Sequence, residues 1–464
     1  MEKFRIEHDA FGPVEIPQDK YWGAQTQRAI GVFGAGREQF PAHLLHAFGQ
    51  QKLASTRANR RLGAIDDALA QAIEQAATEL AAGLFDEQFP LTIWQTGSGT
   101  QTNMNANEVI ANRANQLLGN ELGSKSPVHP NDHVNRSQSS NDTFPTVMHL
   151  ASYLALKNAL LPALGHLHEG LEEKARAWRD ELKIGRTHLM DAVPMSQGQA
   201  FATYAEQIRH GICRVQACMA RLRILPQGGT AVGTGLNAPL GFAQVFCEEL
   251  CAITGEPFES NPCKFEGMGT HDVFVELSGV LNVLAVSLTK LANDIRLLSS
   301  GPRCGLAELV VPDDGLTSSI MPGKRNPTIA EVLAQACMQV MGNTTTVSIA
   351  GASSLFELNV AKPVIIHNVL QSISVLSESL MIFTDKLLTG LELNRPVLQR
   401  NVEGSLLLAT ALNPVLGYDR VSQITRKAAD ENLTPKEAAI ALGFLTAEAY
   451  DAHVRPALMI APRG

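Results

Sequence analysis

Residues 315–327 read GLTSSIMPGKRNP and gather hydroxyls, a lysine and an amide among glycine and proline breaks. Pro322 and Pro327 remove backbone donors while Gly315 and Gly323 loosen the chain, so the segment is neither helix nor buried strand. The expectation is a mobile loop presenting Ser318, Ser319, Lys324 and Asn326. An ammonium and an amide suit a carboxylate or a phosphate, and a hydroxyl beside a cation can take part in proton transfer. The same residue types also suit a Ser/Gly linker with a solvated lysine, so this segment alone does not select a chemistry.

Three further polar loops carry candidates. Residues 96–103 (TGSGTQTN) set Ser98 and Thr100 on either side of Gly99. The glycines would let backbone amides approach a ligand, and the hydroxyls could cradle a carboxylate. A plain turn capped by Thr100 or Thr102 would look the same. Residues 129–142 bring His129, Pro130, Asn131, Asp132 and His133 ahead of Ser139, Ser140 and Asn141, three uncharged donors for an oxyanion. Pro130 argues against a helix-borne metal pair at His129 and His133, and a capping cluster is the simpler reading. Residues 185–194 (GRTHLMDAVP) hold Thr187 and His188 in a short polar gap before a helix expected near Ser196. An imidazole gives or takes a proton near neutral pH; a solvated loop histidine is the ordinary alternative. Glu331, one turn into the helix after the 315–327 loop, could hold such a histidine in one tautomer or simply complement the helix dipole.

These loops hang on a helical frame. The first fifty residues mix glycine, proline and aromatics and should be extended apart from a short helix near 23–30. Helical spacing covers 53–82, broken at Gly63 with Asp66 as N-cap, and 107–118. Longer patterns cover 146–178, 199–225, 273–299, 327–341 and 363–391. In the last, Ile366, Leu370, Ile373, Leu380 and Phe383 recur at helical spacings. Several helices of about 25 residues are long for a globular domain and imply a bundle. Apolar residues on two faces of some imply burial against other subunits. Beyond Arg395 and Pro396 the helices shorten, and Thr434 with Glu437 forms a capping box around Pro435. The expected fold is mainly α with three domains. A mixed, mostly helical part spans 1–138, a central long-helix bundle 139–395, and a small helical part 396–464.

Bulk composition bounds the partners. The 464 residues are 45% apolar and 18% charged, an ordinary globular balance. A formal net charge of −8 leaves no basic field for nucleic acid or for a membrane surface. An anion site must therefore be built locally. Seven cysteines stand singly, and Cys247 and Cys251 lack a nearby histidine or second cysteine pair. No zinc, iron–sulfur or disulfide framework follows, so neither metal nor cofactor is expected. The apolar window 280–298 contains Lys290, Asp294 and Arg296 and reads as a core helix rather than a membrane span. No apolar run of signal-peptide length follows Met1, and the expectation is a soluble, cytoplasmic protein.

Taken together, the loops resemble those of the fumarase/aspartase superfamily, and within it the class II fumarases. The 318–327 run is similar to the superfamily's GSSxMPxKxNP loop. Residues 22–28 (WGAQTQR), 97–101 (GSGTQ), 185–188 (GRTH), 228–235 (GGTAVGTG) and 357–359 (ELN) match as well, from near residue 5 into the C-terminal helices. Aspartases usually carry Gln in place of His188 and Ala in place of Gly323, so both residues favour a fumarase. The resemblance implies cofactor-free, reversible hydration of fumarate to malate, a citric acid cycle reaction. It implies that Ser98, Gly99, Thr100, Ser139, Ser140, Asn141, Thr187, Ser319, Lys324, Arg325 and Asn326 hold the substrate carboxylates. His188, Ser318 and Glu331 would carry proton transfer, with the assignment of base and acid between Ser318 and His188 open. It further implies a homotetramer whose multi-helix core joins segments of three subunits at each site. His129, Pro130, Asn131 and Asp132 would form a secondary dicarboxylate site.

Three positions depart from the family pattern. Thr317 stands where a glycine usually precedes the two serines, which stiffens the loop. Arg325 replaces a small apolar residue and adds charge near the site. Ser126 replaces an arginine of the secondary site and cannot offer its bidentate contact. Two rivals remain: a related fumarate-releasing lyase (aspartate ammonia-lyase or a methylfumarate hydratase), and a helical interaction protein that has lost activity. The intact set of His188, Ser318, Lys324 and Glu331 speaks against the second.

Overall fold

The computed structural model describes residues 3–462. The chain opens with an antiparallel hairpin of β1 (Phe4–Asp9) and β2 (Gly12–Pro17). Four helices follow: α1 (Ala24–Val32), α2 (Ala42–Arg61), α3 (Asp67–Ala81) and α4 (Thr100–Leu117). Next, α5 (Ser140–Ala155) continues through a π turn into α6 (Leu161–Ala177). A second antiparallel hairpin, β3 (Leu182–Thr187) and β4 (Met190–Ser196), leads into α7 (Gln197–Leu222). Then come α8 (Phe242–Thr254), α9 (Lys264–Gly269), α10 (Asp272–Leu298), α11 (Thr328–Ala352) and α12 (Lys362–Phe383). The short helices α13 (Arg395–Gly404), α14 (Asn413–Leu416), α15 (Tyr418–Glu431), α16 (Pro435–Ala441) and α17 (Ala447–His453) complete the chain. The mainly helical expectation holds.

By its contacts the chain divides into two compact units. One comprises the chain up to Pro162 with Cys213–Ala285 and Met338–Ser377; the other comprises Ala163–Ile212, Val286–Cys337 and the chain from Glu378 onward. In the first unit α2 packs on α3 so closely that a Cβ at Gly49 would stand 2.3 Å from the Ala81 nitrogen. Phe48, Ile73, Ala77 and Leu80 are buried there. Each large apolar side chain so buried contributes roughly 1.5–3 kcal/mol. Asp66 caps α3 as expected, accepting from the Ala68 N–H at 2.9 Å. In the second unit the short C-terminal helices close over Leu412, Ile424, Ala428, Ala438 and Ala439. The Thr434 capping box forms, with Glu437 Oε2 accepting from the Thr434 N–H at 2.8 Å.

Some element bounds differ from the sequence reading. Helix α4 begins at Thr100 rather than 107, because its Thr- and Asn-rich start is stabilised by burial and by Gln95, which accepts from the Thr102 N–H at 3.1 Å. Helix α11 runs past 341 to Ala352, its threonine hydroxyls bonding carbonyls four residues back. The gap before Ser196 is a β-hairpin. Three stretches, Ser140–Ala177, Asp272–Leu298 and Lys362–Leu388, are apolar and long enough to cross a membrane by length and composition. They bury polar groups that bond within the protein, as where Asn343 donates to Ser372 Oγ at 3.0 Å.

Candidate active site

In the first unit the 96–100 turn is shaped by packing. A Cβ at Gly97 would lie 1.3 Å from the Val360 carbonyl oxygen, and one at Gly99 would lie 2.2 Å from the Phe144 ring. Gly99 also takes φ +75° as the N-cap of α4. These glycines therefore answer the protein's own backbone and core, where the sequence suggested room for a ligand. The turn presents a chain of hydroxyls: Ser98 Oγ lies 2.7 Å from Thr100 Oγ1, which lies 2.7 Å from Ser140 Oγ. Ser98 is buried and Thr100 and Ser140 half-buried. Neither Thr100 nor Thr102 caps the helix.

Ser139 caps α5, accepting from the Asn141 N–H at 3.2 Å, and the Asp142 carboxylate returns the bond to the Ser139 N–H at 2.9 Å. The other Asp142 oxygen accepts from the Gly228 and Thr230 N–H groups, each at 2.9 Å. Asn141 donates to the Ala231 carbonyl at 2.9 Å. The start of α5 and the 228–231 turn thus form one hydrogen-bonded body. Burial pushes the Asp142 carboxyl up to about 6, against the pull of those N–H groups and of Lys52. Lys52, fully buried, donates to Asn103, Asn135 and Gln138 at 2.9–3.1 Å, and burial lowers it to about 7. Sequence reasoning missed both anchors. The Ser139–Asp142 spacing is a capping-box signal; Lys52, in mid-helix, gives none.

His129 belongs to a cap as well. Its Nδ1 accepts from the Asn131 and Asp132 N–H groups at 3.3 and 3.2 Å. The same atom lies 3.3 Å from Asp132 Oδ2, which would require it to carry a proton. Two backbone donors need an acceptor, so the Nε2–H tautomer fits and the carboxylate contact is no ion pair. Pro130 is buried in the turn that follows, while Asn131, Asp132 and Ser126 are exposed.

In the second unit His188 occupies the tip of the β3–β4 hairpin. Thr187 pairs with Met190, leaving a two-residue turn in which His188 and Leu189 have φ of 56° and 64°. Such a left-handed turn favours Gly or Asn, and each non-glycine residue there costs about 1–2 kcal/mol. The imidazole is exposed and has no hydrogen-bond partner among the described residues. On the 315–327 loop Ser318 Oγ accepts from the Ile320 and Met321 N–H groups at 3.3 and 3.1 Å. Two such dipoles stabilise negative charge on that oxygen.

Arg325 is engaged elsewhere, its Nη2 2.8 Å from Asp313 Oδ2, and Thr328 donates to Asp314. Those two contacts join the ends of the loop. Among the described residues the Lys324 ammonium, the Asn326 amide and the Ser319 hydroxyl make no hydrogen bond, so they are uncommitted. Lys324 and Arg325 line a cavity of about 370 Å³ with Gly323, Val310 and Asn394. Glu331 faces Arg296 at 4.0 Å and makes no ion pair with His188. The structure thus brings together Ser98, Thr100 and Ser140, and separately Ser139 and Asn141. It joins neither His188 to Glu331 nor either of them to Ser318 by a hydrogen bond within one chain.

The cysteines stand alone. Cys251 donates to the Phe258 carbonyl at 3.3 Å, and burial pushes Cys247 up to about 12. Among the described residues no three His, Cys, Asp or Glu side chains are grouped to hold a metal ion.

A lyase family profile matches residues 12–342, and the fumarase C C-terminal family matches 408–461. The class II fumarate hydratase of Thermosynechococcus vestitus is 55% identical over 460 residues, 99% of this chain and 98% of that one. The mitochondrial fumarate hydratase of Rhizopus oryzae is 51% identical over 465 residues, 100% of this chain and 94% of that one. A crystal structure of recombinant class II fumarase from Schistosoma mansoni matches with TM-score 0.97 at 40% identity, covering 100% of both chains. Aspartases and fumarases share the loop signatures, but identity above one half over nearly the full length of named fumarases decides between the branches, and the chain belongs to the class II fumarase family.

Proposed function

We propose that this chain catalyses the reversible hydration of fumarate to malate. The observation that carries the reading is the sustained identity to proteins named fumarate hydratase, over 99% of the chain in the T. vestitus case. The site geometry supports it. Hydroxyls of Ser98, Thr100, Ser139 and Ser140, with Asn141, Thr187, Ser319, Lys324 and Asn326, receive the two carboxylates. Arg325, held by Asp313, contributes charge rather than a contact.

Ser318, its oxygen stabilised as an alkoxide by two N–H groups, takes the proton from malate carbon 3. The C–H electron pair moves into the adjacent carboxylate, giving an aci-carboxylate with one more negative charge. Lys324 and Asn326 meet that charge, and a preorganised donor of this kind is worth about 10²–10³ in rate. The pair then forms the C2–C3 double bond as the C2–O bond breaks, and the hydroxide leaves as water with a proton from His188. Ser318 returns its proton to solvent and His188 regains one. Glu331 orients the imidazole.

That pairing is not made within one chain, so we propose a homotetramer in which the 98–141, 187–188 and 318–331 segments of three subunits meet. The division at 138 and 395 is proposed as one of function: the first part carries the Ser98–Thr100 cradle and the second the acid–base residues. The net charge of −8 and the unpaired cysteines suit a soluble enzyme of the cytoplasm, acting in the citric acid cycle.

Fumarate absorbance should rise when malate is added and stay flat with aspartate; no signal from malate would refute the reading. Refolding an equal mixture of His188→Asn and Ser318→Ala should restore activity at roughly a quarter of sites if random assembly shares the site between chains. Mixtures as dead as either parent would refute the shared site.

A further inference from the structure

Two residues back from His188, strand β3 is bolted to a buried carboxylate that the hydration chemistry does not use. Glu308 is 0% exposed. Its carboxylate accepts from the Arg186 guanidinium, from Asn401 at 3.3 Å, and meets the Lys183 ammonium at 3.4 Å. Lys183 and Arg186 lie on the same short strand, on either side of the bulge at 184–186. Its backbone is fixed too: the Glu308 N–H donates to the Leu298 carbonyl at 2.8 Å, and the Asn394 N–H donates to the Glu308 carbonyl at 3.0 Å. Burial would raise the Glu308 carboxyl, but the Arg186 bond and both cations hold it below its usual range, so it stays ionised.

The turn beyond Arg186 is strained and is closed by the Thr187–Met190 pair. His188 and Leu189 are both exposed, both at positive φ, and their side chains bond to nothing among the described residues. A strained non-glycine turn persists only where its surroundings over-determine it. Among the described residues, the one dense set of charged contacts on the hairpin is the Glu308 cluster at its base.

We propose that Glu308 is a positioning residue for His188, clamping β3 through Arg186 and Lys183 so that the strained turn presents the imidazole in one orientation. This rests on the proton-transfer role proposed for His188. Of the carboxylate-binding groups only Thr187 lies on this hairpin, so loss of the clamp lets the turn relax toward unstrained conformers while the other groups stay in place, and turnover suffers far more than substrate affinity.

The test is a set of variants assayed on malate. Glu308→Gln keeps the shape and removes the charge; kcat should fall about 10- to 100-fold while KM stays within about two-fold. Leu189→Gly supplies the residue that a left-handed turn prefers. In the wild-type background it should change kcat by less than about two-fold; combined with Glu308→Gln it should recover about five-fold or more. A glycine at the tip cannot repair a general loss of packing, so this recovery separates positioning from a merely structural role. If Glu308→Gln does not fold, Arg186→Lys, which keeps the charge but has a shorter side chain that draws it back from the carboxylate, should show the same loss and the same recovery. Wild-type kcat in either folded variant, or loss without recovery, overturns the proposal. His188→Asn keeps the two ideas apart. Full activity there defeats the role given to His188, whereas inactivity there with normal Glu308→Gln defeats only the clamp.

Discussion

Replacing Gly97 by alanine tests the cradle most directly. The new Cβ would stand 1.3 Å from the Val360 oxygen and 2.2 Å from its carbonyl carbon, where an ordinary contact begins near 3.4 Å. The two backbones must therefore separate by about 2 Å. Val360 cannot simply retreat, because the Lys362 N–H donates to the Gly97 carbonyl at 3.0 Å and the Asn359 amide is bonded to the Ala350 carbonyl at 3.0 Å. The shift falls on Ser98, whose 2.7 Å bond to Thr100 would be lost. Overpacking of this kind costs about 1–3 kcal/mol in stability. A reacting group displaced by 1 Å costs about 10² in rate, so kcat/KM for malate should fall by at least that factor. Steady-state fumarate absorbance gives the rate, and circular dichroism melting shows that the variant folds. Gly31→Ala is the control: nothing lies within 4 Å of that Cβ, it sits in a helix, and it should be neutral or slightly stabilising. A folded Gly97→Ala with kcat/KM within about three-fold of wild type would refute the packing argument.

Ser318→Ala should lower kcat by about 10²–10⁴ with an unchanged circular dichroism spectrum, and near-normal turnover would remove Ser318 from the reaction. His129→Asn should barely change malate kinetics, since an asparagine can still accept at that cap; a large rise in KM would mean that this turn handles substrate. Burial holds the Lys362 ammonium near 7, well below its unfolded value, so folding expels a proton between about pH 7 and 10. Stability should therefore rise with pH in that window, by at most about 1.4 kcal/mol per unit from this group. Urea unfolding of Lys362→Met at pH 7, 8 and 9 should show a shallower slope than wild type; parallel slopes would contradict the assignment.

The long helices were legible because burial imposes its period on Ile366, Leu370, Ile373 and Leu380, all of them core residues. Caps were legible where side chain and backbone sit close in sequence, as at Asp66 and Thr434. The β3–β4 hairpin was not. Its turn residues are His188 and Leu189, not the Gly or Asn that usually signal such a turn. The start of α4 was read seven residues late, because Thr100, Thr102 and Asn103 have low intrinsic propensity and the helix is held by its surroundings. Glu308 and Lys52 were invisible for a common reason. Each meets partners tens of residues away, across a separation that no local pattern encodes.

The hydroxyl chain from Ser98 through Thr100 to Ser140 has a consequence for selectivity. Three hydroxyls own three protons, and two links consume two of them, so at least one proton always faces outward. Which oxygen offers it depends on the direction of the links, and reversing both links needs only hydroxyl rotation. A carboxylate oxygen arriving at any of the three can recruit the spare proton, while the unused lone pairs could equally accept from an amide. The relay is thus a reversible, charge-blind receptor that adapts to where a ligand lands without moving the backbone. Telling a dianion from its amide must then fall to a fixed charge, and among the residues proposed to contact substrate Lys324 is the cation left uncommitted to carry that discrimination.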